Sequence, residues 1–407
     1  MLFRSLEIDL NKLESNAKEI TSKYRQYKYF IGVLKSQAYG HGEYVVNSLI
    51  KGGINYIAVS YIEEALKVRE YNKDIPILCL QPIFIDDINI AVKNHITITV
   101  DSLDYLKDVI SKAKGKINIH LKIDTGMNRL GFKNKEEIKE ASELIESCEY
   151  TNLEGIYTHM AYVGLFDNGY DRQIERLKDL TSLIDLNKIE IIHIASSVIM
   201  ISHDKLPFVN GVRPGIALYG YNVSLRESDR GIKNKLRILR NRYYQKKYNL
   251  SHVNTNVLLN LKPAMKMFTY VMATKNVKNG ESIGYGGEYK ADRDMKIAIL
   301  PVGYYNGIGK RNAVRYVLIN GKRCFAVGRM SMNMLIVEID DSIKRDDKVT
   351  LLGDGITPRV FANFNQTDVV DILLELGKSN ARYYLKNNKI IYREGINRDE
   401  NDKMDTK

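Results

Sequence analysis

The sequence predicts an α/β chain, a (β/α)8 TIM-type barrel followed by a mostly β C-terminal domain. Three observations carry that expectation. Eight short apolar runs recur through the first half, and charged segments with helical spacing separate them. After Pro263 the pattern changes to strands punctuated by Asn-Gly turns. At 407 residues the chain is long enough for one large domain and a smaller one.

Strands are predicted at 29–35, 56–60, 75–80, 96–100, 118–124, 153–159, 190–196 and 212–218. Most are dense in Ile, Val and Leu rather than alternating, as strands buried on both faces should be. Between them, 61–71 places Ile62, Ala65, Leu66 and Val68 on one side, and 135–147 and 170–186 behave alike. An open doubly wound sheet is the rival, but its G-x-G-x-x-G fingerprint after the first strand is absent. The second half reads as strands at 265–273, 296–300, 316–320 and 335–339, with turns at 278–280 and Asn320-Gly321. We therefore expect a barrel over 11–222, a basic insertion or linker over 223–262, a mostly β domain over 263–390 and a polar tail over 391–407. Within the insertion, 226–247 holds nine Lys/Arg against two acids, and 232–244 reads as a helix.

The net charge of +12 points to an anionic partner, either nucleic acid or a small molecule. Three scattered cysteines exclude a disulfide framework and a zinc cluster, and suggest a reducing, cytoplasmic setting. The first residues lack a signal-peptide run. The most apolar stretch, 189–201, carries Glu190 and His193 and is shorter than a membrane span. No membrane or metal partner is expected.

In a barrel of this kind, reactive groups sit where the strands end. The first strand closes on Lys35, followed by Ser36-Gln37-Ala38-Tyr39-Gly40. A lysine there is partly desolvated, which lowers its pKa and frees the amine for Schiff-base chemistry. Later strand ends bring Lys122 and Arg129, His159, Ser196 and Ser197, then Arg213, Gly215 and Ile216. Each alone reads as a salt bridge or a satisfied core residue. Together they form a cationic, hydroxyl-bearing cluster suited to a phosphorylated aldehyde, and they lack the carboxylates of a metal site.

The segment Ile31-Gly32-Val33-Leu34-Lys35-Ser36-Gln37-Ala38-Tyr39-Gly40-His41-Gly42 resembles the pyridoxal-phosphate attachment motif of alanine racemases. LKIDTGMNRLGF from Leu121, THMA from Thr158, VRPGIALYG from Val212 and SIGYGGEY from Ser282 match the same family in order. The resemblance implies pyridoxal 5'-phosphate as cofactor and a homodimer with shared active sites. It also implies that residues 1–10 add a strand to the C-terminal β domain. By resemblance, Lys35 carries the cofactor and serves as one base, and Tyr285 from the partner subunit is the other. His159 and Arg213 support that tyrosine, with Arg213 also facing the pyridine nitrogen. Arg129 would bond the cofactor's phenolic oxygen and the substrate carboxylate, which the Met332 amide also contacts. Tyr39, Ser197, Gly215 and Ile216 match the phosphate set, and Lys122 a lysine often carried as a carbamate. The implied product is D-alanine for peptidoglycan.

The chain departs from the family pattern at several places. Ser196 stands for a common asparagine, Asn306 for an aspartate, and Ser331-Met332-Asn333 for Cys-Met-Asp. Val370 replaces a tyrosine that touches the phosphate and narrows the entrance, which favours serine or a broader substrate range as the alternative activity. Pyridoxal-dependent decarboxylases of this architecture carry a glycine-rich phosphate motif that is missing here. Cofactor carriers lack the β domain and Tyr285, and a nucleic-acid partner would rest on charge alone.

Overall fold

The computed structural model describes residues 4–221, 232–254, 257–310 and 315–395. From residue 396 the expected polar tail lies outside the described residues, as do 223–231 and 255–256 of the insertion. The chain forms two compact units. One comprises 13–36 and 46–262, the other 1–12, 37–45 and 263–407.

The first unit is a closed barrel of eight parallel strands in sequence order: Tyr29–Val33, Tyr56–Val59, Ile77–Cys79, Ile96–Val100, Ile117–Lys122, Thr151–Tyr157, Ile191–Ser196 and Gly211–Arg213. Every residue of Tyr56–Val59, Ile77–Cys79 and Ile96–Val100 is buried, which is why these runs are apolar throughout rather than alternating. Helices between the strands start where caps allow. The Ser102 hydroxyl accepts from the Tyr105 amide, and Asn134 Oδ1 accepts from Glu136 and Glu137, with acids in the first turn. The helix expected over 170–186 is Gly169–Leu180. Beyond it, Thr181 turns its hydroxyl back to the Leu177 carbonyl, and a 3-10 turn follows at Leu186–Lys188.

The second unit is built on a seven-stranded sheet. Arg4–Asp9 lies inside it, antiparallel to Met265–Tyr270 and parallel to Arg382–Lys386. A three-stranded sheet joins Ala273–Val277, Met295–Leu300 and Leu335–Ile339. The single strand expected over 265–273 is thus two strands in different sheets. The chain crosses between them at Val271 and Met272, whose amides bond Asp347 O and Ile299 O. Tyr316–Ile319 and Lys322–Phe325 form the expected hairpin, with Asn320 and Gly321 at φ of 50° and 78°.

Candidate active site

The turn that follows the first barrel strand carries Lys35, the first of the expected site residues. Lys35 does not end the strand; it opens a helical turn, Lys35–Tyr39. Ser36, Gln37, Ala38 and Tyr39 all have φ between 50° and 54°, a left-handed turn made without glycine. Such backbone costs roughly 1–2 kcal/mol per residue, so its surroundings must fix it. In the barrel unit the Glu64 carboxylate accepts the Ser36 and Ser60 amides. In the other unit, Arg382 donates to the carbonyls of Gly40 and Gly377 at 2.9 Å each and to the Gln37 side chain. It also pairs with buried Glu394 at 2.8 Å. The helix Val369–Ser379 approaches this loop so closely that a Cβ on Gly377 would sit 2.3 Å from Gly40 Cα. Tyr39, ending the turn, has its phenol pushed up to about 12 by burial.

Around Lys35 the barrel brings together Lys122, Arg129, His159 and Arg213. Burial lowers the Lys35 pKa and Arg129 lowers it further, with Glu64 opposing. Lys122 is buried and its pKa falls to about 7, first from burial and then from the charges of Arg213 and Arg129. His159 drops to about 3, from burial and then Arg213, Lys122, Arg129 and Lys35, so it is neutral at pH 7. Arg129 is exposed. The Tyr157 ring lies near both Lys122 and Arg213, with Lys122 Nζ 4.5 Å and the Arg213 guanidinium 5.3 Å from its centroid. At the seventh strand end, Ser196 is half-buried and Ser197 heads a short helix, its Oγ accepting the Gly215 amide at 2.9 Å. Ile216 begins the 3-10 turn Ile216–Tyr219.

Arg213 is held by four bonds. Nη1 donates to His193 Nδ1 at 2.8 Å and to His193 O at 2.7 Å. Nη2 donates to Thr158 O at 2.7 Å and Ile194 O at 3.2 Å. Its Nε–H is left without a partner among the described residues. A guanidinium only donates, so His193 Nδ1 carries no proton and its Nε2–H donates to His120 Nδ1, at 2.8 Å. His120 Nε2–H in turn donates to Glu154 Oε2 at 2.9 Å. Tyr56 donates to the same oxygen at 2.6 Å, and Asn118 donates to Oε1 at 2.8 Å. A one-way chain of donors thus runs from Arg213 through two neutral imidazoles to a carboxylate.

Sequence reasoning missed Tyr157, His120, Glu154 and the orienting role of His193. The available signal was spacing: His120 and Lys122 are two apart and share a strand face, and Tyr157 stands two residues before His159 at its strand's end. The second unit carries the remaining expected residues. Tyr285 is 63% exposed, which leaves its phenol reachable from outside the unit, and Met332 is exposed as well. Asn306 is fully buried and its Oδ1 accepts the Gly303 amide at 3.0 Å, as an aspartate would, while its Nδ2 has no partner among the described residues. Val370 is half-buried near the start of Val369–Ser379.

Residues 8–223 match the family described as alanine racemase, N-terminal domain, and residues 264–384 match alanine racemase, C-terminal domain. The chain belongs to the alanine racemase family. It is an isomerase, a racemase. An alanine racemase of Borreliella burgdorferi strain ZS7 is 32% identical, over 94% of this chain and 97% of its own. The solved alanine racemase of Clostridium difficile 630 has 30% identity and a TM-score of 0.84, covering 97% of this chain and 99% of its own. A histidine racemase from Leuconostoc mesenteroides shares the fold, with a TM-score of 0.79 at 23% identity, over 94% of this chain and 98% of its own.

Proposed function

We propose that this racemase interconverts L- and D-alanine with pyridoxal 5'-phosphate, as a cytoplasmic homodimer supplying D-alanine for peptidoglycan. The observation that carries the reading is a desolvated Lys35 sharing the barrel mouth with Lys122, Arg129 and Arg213. An anionic cofactor fits that cluster. The spare Arg213 Nε–H suits a ring nitrogen that only accepts, and the Ser197 hydroxyl proton suits a phosphate oxygen. When bound, the cofactor acidifies the substrate Cα proton by delocalising negative charge.

Lys35 would hold the cofactor. Tyr39, Ser197, Gly215 and Ile216 would bind the phosphate, with Ser196 beside them. Lys35 then moves the Cα proton on one face through Nζ, where burial and the Arg129 charge shift the balance toward the uncharged amine. Tyr285 of the partner subunit moves it on the other face through the phenolic oxygen, with neutral His159 and Arg213 as supports. Arg129 and the Met332 amide hold the substrate carboxylate.

Lys35→Ala should lose both the visible absorbance of bound cofactor and racemisation of L-alanine. Wild-type protein showing neither would refute the reading. A serine or broader racemase is the second reading, and the valine at 370 favours it: a side chain smaller than tyrosine leaves more room for substrate. Relative turnover of serine that does not fall in Val370→Tyr would remove it.

A further inference from the structure

Residues 224–263, between the two family matches, include a helix, Ile232–Lys247, of sequence IKNKLRILRNRYYQKK. It carries seven Lys/Arg and no acid. Its mounting is the reverse of an ordinary surface helix. Asn241 is 6% exposed, and half-buried Gln245 donates to the Leu165 carbonyl at 3.4 Å, so a polar side faces the barrel unit. Leu250 buries itself just beyond the helix and anchors its end. Leu236, Leu239 and Tyr243 are 61%, 61% and 62% exposed. Their i, i+3, i+7 spacing sets them in one stripe pointing away from the protein.

Exposed cations flank the stripe on both sides, Arg240 and Lys247 along one edge and Arg242 and Lys246 along the other. None of these four pairs with a carboxylate among the described residues. An apolar stripe between two rows of cations is the pattern of a helix lying in a lipid interface, with leucines at the acyl boundary and cations among headgroups. The other occupants fit less well. A second copy would set like charges against like, and nucleic acid would meet leucines where its phosphates need donors.

We propose that the helix Ile232–Lys247 docks this enzyme on an anionic lipid surface. The contact is peripheral, since no described helix is long and apolar enough to cross a membrane. The sequence reading expected no membrane partner, and it rested on the absence of a spanning segment, which a surface helix does not need.

The test is co-sedimentation of the full-length protein with phosphatidylglycerol–phosphatidylcholine vesicles and with phosphatidylcholine alone. Binding only to the anionic vesicles, weakening with salt, is the expected result. Arg240→Gln/Lys247→Gln should lower partitioning by about 30-fold, from roughly 1 kcal/mol per basic residue at an anionic surface. Leu236→Ser/Leu239→Ser should lower it at least about tenfold through lost apolar burial. Both variants should keep the wild-type circular dichroism and amino-acid racemisation rate. Absence of wild-type binding to anionic vesicles overturns the proposal. So does unchanged binding in Leu236→Ser/Leu239→Ser, or equal competition by duplex DNA or an acidic peptide. Lipid-free self-association that this leucine variant abolishes would assign the stripe to a second copy and overturn it as well.

Discussion

Lys122 should react with carbon dioxide near neutral pH, and its surroundings supply the reason. Only the neutral amine attacks: a nitrogen–carbon bond forms, a proton leaves, and –NH–COO⁻ replaces the amine. An exposed lysine of pKa 10.5 is neutral in about 1 molecule in 3,000 at pH 7. With its pKa lowered to about 7 by burial and by Arg213 and Arg129, Lys122 is neutral in about half. The reactive population therefore rises by about a thousandfold. The product is then held by the same arginines, because a cation they repel has become an anion they attract. The assay is 13C NMR of protein equilibrated with labelled bicarbonate between pH 6 and 9, for wild type and Lys122→Ala. One carbonyl signal should appear in wild type as pH rises through 7 and be missing in the variant. A spectrum without a Lys122-dependent signal up to pH 8.5 would refute the reasoning. In carbon-dioxide-free buffer the sign is also fixed. The folded pKa lies below the unfolded one, so the unfolded chain binds more protons between about pH 7 and 10.5, and stability rises with pH across that window. Lys122→Met should remove that rise.

Three further outcomes follow from the geometry. Nitrogen-15 NMR of the histidines should place the protons of His193 and His120 on Nε2, because donors run one way from Arg213 to Glu154. Glu154→Gln keeps an acceptor and should preserve both tautomers. Glu154→Leu strands the His120 N–H and should cost about 1–3 kcal/mol in urea unfolding, so a δ-protonated His193 in wild type contradicts the chain. Arg382→Met removes the cation that compensates the buried Glu394 carboxylate and should cost about 3–5 kcal/mol, with Arg382→Met/Glu394→Met closer to wild type; equal losses in the two would argue against a coupled pair. Gly377→Ala forces its Cβ onto the Gly40 backbone and should lower stability by about 1–3 kcal/mol, and an unchanged melting temperature would show that the two segments separate freely.

The barrel was legible because its strands are buried on both faces, and solvent cannot impose an alternating pattern on Ile96–Val100 or Tyr56–Val59. What stayed hidden was geometry that leaves no residue-type mark. The left-handed turn after Leu34 contains no glycine at 36–39, so nothing in its composition separates it from a continuing strand. The crossing at Val271 and Met272 is likewise unmarked by Gly or Pro, and one apolar run served two sheets. In both places tertiary hydrogen bonds, to Glu64 in one and to the Asp347 and Ile299 carbonyls in the other, decide what local preference leaves open.

The site divides along a similar line. Lys35, Lys122, His159 and Arg213 could be found because a charge at the end of an apolar strand is costly and conspicuous. Their partners sit inside the strands, where a histidine or glutamate reads as one more satisfied core residue. His120 and Glu154 show how such residues act without standing at the mouth. Glu154 fixes the proton on His120, His120 fixes it on His193, and His193 then offers Arg213 a lone pair. With both terminal nitrogens committed to His193, Thr158 and Ile194, one N–H of the guanidinium remains for a ligand. A lysine in place of Arg213 would keep a charge but could not be directed in this way, because its three donors rotate about one bond. The direction of a single donor at the barrel mouth therefore depends on a carboxylate three hydrogen bonds away.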